Sequence, residues 1–221
     1  MTVAILPMKP PSIGKTRLAD GLEPAFREQL AMAMFEDSLS ALTACRSLAR
    51  VLVVTSDRRC REAAATLGLE VLGDQGDTGH SRAAALGVAA AIGAGARSVL
   101  LVPGDCPAIV PGEVDAFVEE HGRERSCAIV PDRHGTGTNA LLISPPEALE
   151  PAFGPGSRDR HLRSARAAGL HAEVVEVPSL ALDVDTPEDL ATLSSHLAAR
   201  PDVARLTRAL LDRDWRIARV G

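Results

Sequence analysis

The centres of two runs in this chain have no polar face. RVLVVTS, residues 50–56, and SVLLVPGD, residues 98–105, are continuous apolar stretches rich in β-branched side chains. Strands of this kind are buried on both sides, which calls for a largely parallel sheet with helices packed on each face. The remainder of the chain supplies the alternation that such a sheet needs. Residues 2–7 read as a strand, and from Pro24 to about Ala44 the apolar residues Leu30, Met34, Leu39 and Leu42 recur at helical spacing. A helix over 58–66 ends near Gly68, LEVLG is a short strand, residues 74–81 are a polar loop, and an Ala-rich helix runs to about Ala91.

The strand that opens SVLLVPGDCPAIVP, residues 98–111, finishes at Gly104. A helix follows over Pro111 to Glu120, then a strand at 126–132 and a glycine-rich loop, RHGTGTNALLI, running into another strand. Helical patches at 145–151 and 158–168 precede strands at 172–178 and 180–185. The helix at 186–197 opens with Thr186 as N-cap, Pro187 at the first helical position and acids in the first turn. A terminal helix is expected over 201–215. The predicted fold is therefore a single α/β domain, Rossmann-like, with a mostly parallel sheet and flanking helices over residues 1–199. Residues 200–221 form a helical extension whose role, homodimer contact or simple packing, stays open.

Bulk properties narrow the function. The formal charge is −5, without a long basic run, and aromatics are scarce, with no Tyr and one Trp, so nucleic-acid binding is not expected. Cys45, Cys60, Cys106 and Cys127 lack CxxC spacing, which argues against a zinc knuckle and for a reducing compartment. No apolar run reaches the ~20 residues that span a bilayer, and the first residues lead straight into a strand. A cytoplasmic protein without membrane contact is the expectation.

In parallel sheets ligands sit beyond the carboxyl ends of the strands, and the polar residues of this chain collect there. The first loop carries GKT but is not a P-loop. Lys9 stands where the pattern needs glycine, and Pro10 and Pro11 offer no amide hydrogens. Lys9, Lys15 and Arg17 can bind phosphate through side chains, or they form an exposed basic loop. Asp105, in GDCP, would lie at the sheet edge, as a ligand or as a local turn acid. In DVD an extended backbone would point Asp183 and Asp185 the same way. With Asp105 they make a hard-oxygen set suited to Mg²⁺; the other reading is a helix cap with a surface acid beside it.

Gly135 and Gly137 alternate with Thr136 and Thr138 in a loop that fits an anion site or a plain turn. FGPGSRDRH places Ser157 at an expected helix N-cap, where anions are favoured, with Arg158 and Arg160 nearby. His80, His134 and His161 are scattered and read as anion contacts or surface residues. No nucleophile stands beside a base, and the serines lack a strained glycine elbow. Together the loops suggest a nucleoside triphosphate and a second acidic substrate sharing one site with a divalent metal.

The segments KPPSIGKTRL, LLVPGDCPAI, DRHGTGTNALL, FGPGSRDRHL and LALDVDTPEDL, in this order, resemble the phospholactate/phosphoenolpyruvate guanylyltransferases of coenzyme F420 biosynthesis. These are relatives of the molybdenum-cofactor guanylyltransferases and of nucleotide-diphospho-sugar transferase-like enzymes. The resemblance implies Mg²⁺-dependent transfer of GMP from GTP to the phosphate of a small phospho-acid, with release of pyrophosphate and two cations at the site. It implies Asp105, Asp183 and Asp185 as metal ligands and catalytic residues, and Thr138, Gly154 and Ser157 as the phospho-acid site. Lys9, Lys15 and Arg17 would neutralise the triphosphate, with Lys15 also counted as catalytic.

Where the family usually has a Leu-Asn pair near the nucleotide, this chain has His80 and Ser81, so Ser81 is the aligned nucleotide contact. Asp74 and Asp77 nearby are read as solvated loop acids. Phosphoenolpyruvate is the favoured acceptor by family association, with 2-phospholactate and 3-phosphoglycerate as alternatives. The other readings are a molybdenum-cofactor or sugar-1-phosphate nucleotidyltransferase, or a non-catalytic nucleotide-binding regulator.

Overall fold

The computed structural model describes residues 1–19, 22–74 and 79–214. Its strands form one sheet: β1 (Thr2–Pro7), β2 (Leu48–Val54), β3 (Glu70–Leu72), β4 (Ser98–Leu101), β5 (Ser126–Pro131), β6 (Thr138–Ser144) and β7 (His171–Val174). The helices are α1 (Pro24–Thr43), α2 (Arg58–Thr66), α3 (His80–Gly93), α4 (Pro111–His121), α5 (Ser157–Ala167), α6 (Pro187–Ala199) and α7 (Arg205–Asp214). The strand order is β3-β2-β1-β4-β6-β5-β7. All neighbours pair in parallel except β6, which runs antiparallel to both β4 and β5. The mostly parallel α/β sheet expected from the sequence is thus present, with one reversed strand.

Burial on both faces explains why β1 has no polar side. Ala4 and Leu6 pack into a core with Phe35, Leu39 and Leu42 of α1. Val3 and Ile5 face the opposite layer, which holds Ala84, Val88 and Ala91 of α3. A third core joins Leu30 and Met34 of α1 to Leu190, Leu193 and Leu197 of α6 and to Leu210 and Leu211 of α7. Among the described residues no helix is long and apolar enough to cross a membrane.

Four local expectations change. Residues 180–185 form no strand. They are held instead by Leu182 and Val184, 8% and 0% exposed, which pack in the third core. Burying such side chains contributes about 1.5–3 kcal/mol each, enough to hold a segment without ladder hydrogen bonds. At 145–151 there is only a short 3₁₀ turn, Pro146–Ala148. β7 stops at Val174, before Pro178, although the Val175 amide still donates to Ile129 O at 2.9 Å.

The terminal helix begins at Arg205 because Asp37 of α1 caps it from across the core. Its carboxylate oxygens accept from the amides of Leu206 (3.1 Å) and Thr207 (2.8 Å). Residues 215–221 lie outside the described residues, as does Asp77.

Candidate active site

The carboxyl ends of β1 and β4 are neighbours, and the loops that leave them build the first half of the site. After β1 the chain turns at the two prolines, where the Ile13 amide donates to Pro10 O (3.1 Å) and the Gly14 amide to Pro11 O (3.3 Å). The amides that a phosphate cradle would need are therefore spent within the loop. The next residue, Lys15, has a left-handed backbone, φ 56°. This turns its side chain inward, so that Nζ lies 2.5 Å from Asp105 Oδ2 and 3.1 Å from Asp185 Oδ1. After β4, Gly104 lets the two loops meet. A Cβ there would fall 2.9 Å from Met8 Sδ and 3.1 Å from the Phe35 ring.

The three basic residues of the first loop thus do different things. Lys15 is buried, its side chain 7% exposed. Arg17 is 73% exposed and reaches Asp185 only at 3.9 Å. Lys9 is exposed and lines the far side of the loop.

Asp105 and Asp185 meet at Lys15, and Asp183 lies alongside. Burial alone would raise the Asp105 carboxyl, but the Lys15 ammonium outweighs it and holds the group below the usual carboxylate range. Burial would likewise depress Lys15, and the attraction of Asp105 and then Asp185 reverses that, raising it well above a free lysine. Asp183 has no such partner. Burial and the charge of Asp105 raise it to about 6, against the hydrogen bond it accepts from Asn139 Nδ2 at 3.1 Å. Among the described residues no group of three or more His, Cys, Asp or Glu side chains stands in ready metal-holding geometry.

The donor set nonetheless suits a hard cation. Asp105 Oδ1 is buried without a hydrogen-bond partner, and Asp183 is a carboxylate short of positive charge. Lys15 compensates part of this acid group, and the remaining negative charge is of the kind a hard cation would neutralise.

The opposite wall comes from the segments 132–139 and 153–157. Asp132 pulls its loop tight, its Oδ1 accepting from the Thr136 amide at 2.9 Å and its carbonyl from the Gly135 amide at 2.9 Å. Those amides are therefore not free for an anion, and the loop offers the Thr138 hydroxyl instead. Gly154 and Gly156 have φ of 105° and 69°, conformations that only glycine adopts without strain. Gly156 is the N-cap of α5, and Ser157, expected to be the cap, is the first helical residue. Its Oγ is buried and unpartnered. Arg158 pairs with Asp159 at 2.9 Å. Arg160 donates to the carbonyls of Ala152, Phe153 and Pro155. Both arginines thus serve the protein itself.

These walls enclose a cavity of about 550 Å³ lined by Asp105, Asp183, Asp185, Thr138, Gly154 and Ser157 among others. A second compartment of about 330 Å³ lies under the first loop, lined by Lys9, Pro11, Gly14 and Lys15. The two share His80, Pro103, Asp105 and Asp185. Asp105 and Asp185 thus stand on a common wall, while Asp183 lines the larger compartment alone. Ser81 lines the first compartment, and its Oγ accepts from the Phe153 amide at 2.9 Å. It is tied to the loop of Gly154 rather than standing apart with the first loop.

The histidines are not scattered surface residues. His161 is 1% exposed, and Phe153 packs edge-on between His80 (4.6 Å) and His161 (5.3 Å). Of these three, His134 alone is exposed, among the residues that line the cavity. Sequence reasoning also passes over Asn139 and Asp189. Asn139 directly follows the GTGT run. Asp189 Oδ2 accepts from the amides of Asp185 (3.0 Å) and Thr186 (2.7 Å), while Oδ1 pairs with Arg133 at 2.5 Å. Its signal is the Thr-x-x-acid spacing of a capping box, and that box is formed. The four cysteines are buried and unpaired. Burial pushes the Cys106 thiol well above its ordinary value, which disfavours a thiolate nucleophile.

Known proteins share the fold and much of the sequence. The chain is similar to a nucleotide-diphospho-sugar transferase-like structure from Desulfovibrio desulfuricans (TM-score 0.79, 18% identity, 98% of this chain and 96% of the other). It also resembles a 4-diphosphocytidyl-2C-methyl-D-erythritol synthase (TM-score 0.62, 13% identity, 87% and 96%). At these identities the likeness concerns the fold. In sequence it is 43% identical to a phosphoenolpyruvate guanylyltransferase of Conexibacter woesei, over 96% of this chain and 95% of the relative. It is 40% identical to one of Sphaerobacter thermophilus, over 88% and 93%. Residues 2–201 match the family described as guanylyl transferase CofC like, and the chain belongs to that family.

Proposed function

We propose that this chain transfers GMP from GTP to the phosphate of phosphoenolpyruvate, releasing pyrophosphate, in the biosynthesis of coenzyme F420. The observation that carries the reading is the acid wall shared by two compartments, one beneath a lysine-bearing loop and one at the N-terminus of α5. A triphosphate beneath the loop and a phospho-acid at the start of α5 would bring their reacting groups together at Asp105 and Asp185. The relatives of 43% and 40% identity, named phosphoenolpyruvate guanylyltransferases, support the choice of nucleotide and acceptor.

In the reaction a phosphate oxygen of the acceptor attacks the α-phosphorus of GTP. A P–O bond forms there as the bond to the bridging oxygen of the β-phosphate breaks, and pyrophosphate departs with that oxygen. The attacking oxygen is already ionised near neutral pH, which fits a site without a nucleophile–base pair. Asp105, Asp183 and Asp185 would hold Mg²⁺, as two ions. Bound there, Mg²⁺ would supply charge neutralisation between the two polyanions and Lewis-acid stabilisation of the charge that develops during transfer. Lys15 holds Asp105 and Asp185 in place, and the exposed Lys9 attracts the triphosphate, whereas Arg17 lines the compartment of Thr138 and Ser157 and adds its charge beside Asp185 there. Ser157 Oγ, the Thr138 hydroxyl and the positive end of α5 receive the acceptor. The chain's contribution is positioning and electrostatics.

A pyrophosphate-release assay tests this. Purified protein with Mg²⁺ is given GTP or ATP and, in turn, phosphoenolpyruvate, 2-phospholactate or 3-phosphoglycerate, with the adduct identified by mass. Release with GTP and phosphoenolpyruvate alone is the expected outcome. Release with another acid reassigns the acceptor, and silence with all three while nucleotide still binds overturns the activity.

A further inference from the structure

We propose that His161 is a positioning residue that fixes the hydroxyl hydrogen of Thr138 toward the acceptor, making Thr138 a donor to the phospho-acid. The inference rests on the reading above that Thr138 belongs to the acceptor compartment. Its basis is a chain of hydrogen bonds in which one partner has no choice of role. The Ala152 amide lies 2.8 Å from His161 Nε2. A backbone amide only donates, so Nε2 carries the lone pair and the neutral ring bears its proton on Nδ1. Nδ1 lies 3.0 Å from Thr138 Oγ1, and there it donates. Thr138 Oγ1, already accepting from the ring, must send its own hydrogen elsewhere. Among the described residues the hydroxyl has no second partner, and Thr138 lines the cavity.

The alternative tautomer would aim a lone pair of Thr138 at an anion. His161 excludes that arrangement, and its surroundings keep it in the useful state. The ring is 1% exposed and packed edge-on against Phe153. Burial and then the neighbouring Arg160 cation lower its pKa to about 4, so it is neutral where the acceptor is ionised. Arg160 and His161 are adjacent on α5. One ties down the carbonyls of Ala152, Phe153 and Pro155, and the other takes the Ala152 amide. The loop that carries Gly154 is thereby held from both its donor and acceptor sides.

Two variants separate the two ring nitrogens. In His161→Asn the side-chain amide nitrogen sits where Nδ1 was and still donates to Thr138. In His161→Gln the side chain reaches Ala152 but leaves Thr138 without its donor. We expect His161→Gln to raise KM for phosphoenolpyruvate about tenfold or more while KM for GTP moves less than about twofold, and His161→Asn to recover most of the loss. Equal changes in both KM values, or no change in that for the acid, overturn the proposal.

Thr138→Val separates this from the underlying reading. If that variant leaves the acid KM untouched, the acceptor compartment is misassigned. If it raises the acid KM and His161→Gln does not, the role of His161 alone falls. A measurement on the unaltered protein guards against variants that fail to fold. Nitrogen-15 NMR of the imidazole at pH 7 should show the proton on Nδ1 and a bare Nε2, and the opposite tautomer refutes the proposal.

Discussion

Lys15 Nζ stands between Asp105 Oδ2 at 2.5 Å and Asp185 Oδ1 at 3.1 Å, on a backbone whose φ is 56°. A left-handed non-glycine residue costs about 1–2 kcal/mol, and here the cost is offset by two charge-assisted contacts. The residue that the sequence suggests for neutralising a triphosphate, or for an exposed basic loop, is a counter-charge to the acids.

Asp105 is the acid most fully committed to this arrangement, and Asp105→Asn keeps its shape while removing its charge. We expect kcat/KM to fall by about a thousandfold, roughly 4 kcal/mol in the transition state. Lys15 keeps Asp185 as a partner but loses its shorter contact, so the melt should shift by about 1–2 kcal/mol, far less than the activity loss. Activity that falls no further than stability does would remove Asp105 from the metal and catalytic role.

Lys15→Met tests the counter-charge directly. Breaking a fully buried pair costs about 3–5 kcal/mol, and the partial exposure of both acids brings our expectation down to about 2–3 kcal/mol. Repulsion among the three acids then makes the variant gain more stability from millimolar Mg²⁺ than the parent does. Thermal melts with and without Mg²⁺ measure this, and equal gains in both proteins would show that Lys15 and the metal answer different charges.

The pH dependence of stability follows from His161. Its pKa is lowered from 6.5 to about 4 by burial and then Arg160, so across that window the unfolded chain binds the proton better. Its contribution is complete above about pH 6.5 and is lost as pH falls toward 4, at most about 3 kcal/mol. Asp183 acts in the opposite sense. It is raised from 3.8 to about 6, and so it gains stability as pH falls through 6. Subtracting the profile of His161→Asn from that of the parent isolates the histidine. A difference that is flat between pH 4 and 6.5 would contradict the buried neutral ring.

Gly156 caps α5 with φ 69°, and nothing stands within 4 Å of where a Cβ would lie. Gly156→Ala therefore meets backbone strain and no clash. The cost should be about 1–2 kcal/mol, together with a higher KM for the acid and an unchanged KM for GTP. Steady-state kinetics and a melt on the same preparation check both parts, and an unchanged acid KM would detach the start of this helix from acceptor binding.

Asp37→Ala should divide stability from chemistry. It leaves the amides of Leu206 and Thr207 without their cap, costing about 1–2 kcal/mol. The site lies elsewhere, so kcat/KM at low temperature should match the parent. A loss of activity below the melting transition would tie α7 to the reaction.

Much of the fold was legible because it is written in continuous apolar runs. Val51 to Val54 and Val99 to Leu101 are all buried, and both runs read as two-faced strands. The segment Leu180 to Asp185 misled because alternate burial looks the same with or without a partner strand. Val184 is buried between Asp183 and Asp185, yet no ladder is present. The acids were found since each follows an apolar run toward the same sheet edge. What composition could not reveal was who satisfies whom. Lys15 turning inward depends on one backbone angle, Arg160 is occupied by loop carbonyls, and His161 depends on an amide nine residues away.

Asp189 closes α6 as its capping-box acid and in the same stroke fastens Asp185, Thr186 and, through Arg133, the loop ahead of Thr138. Fraying of the first turn of α6 and release of Asp185 from the acid cluster are consequently one local opening. The amides of Asp185 and Thr186 should exchange their hydrogens together with the disassembly of the site, which makes them internal reporters of how long it stays assembled between turnovers.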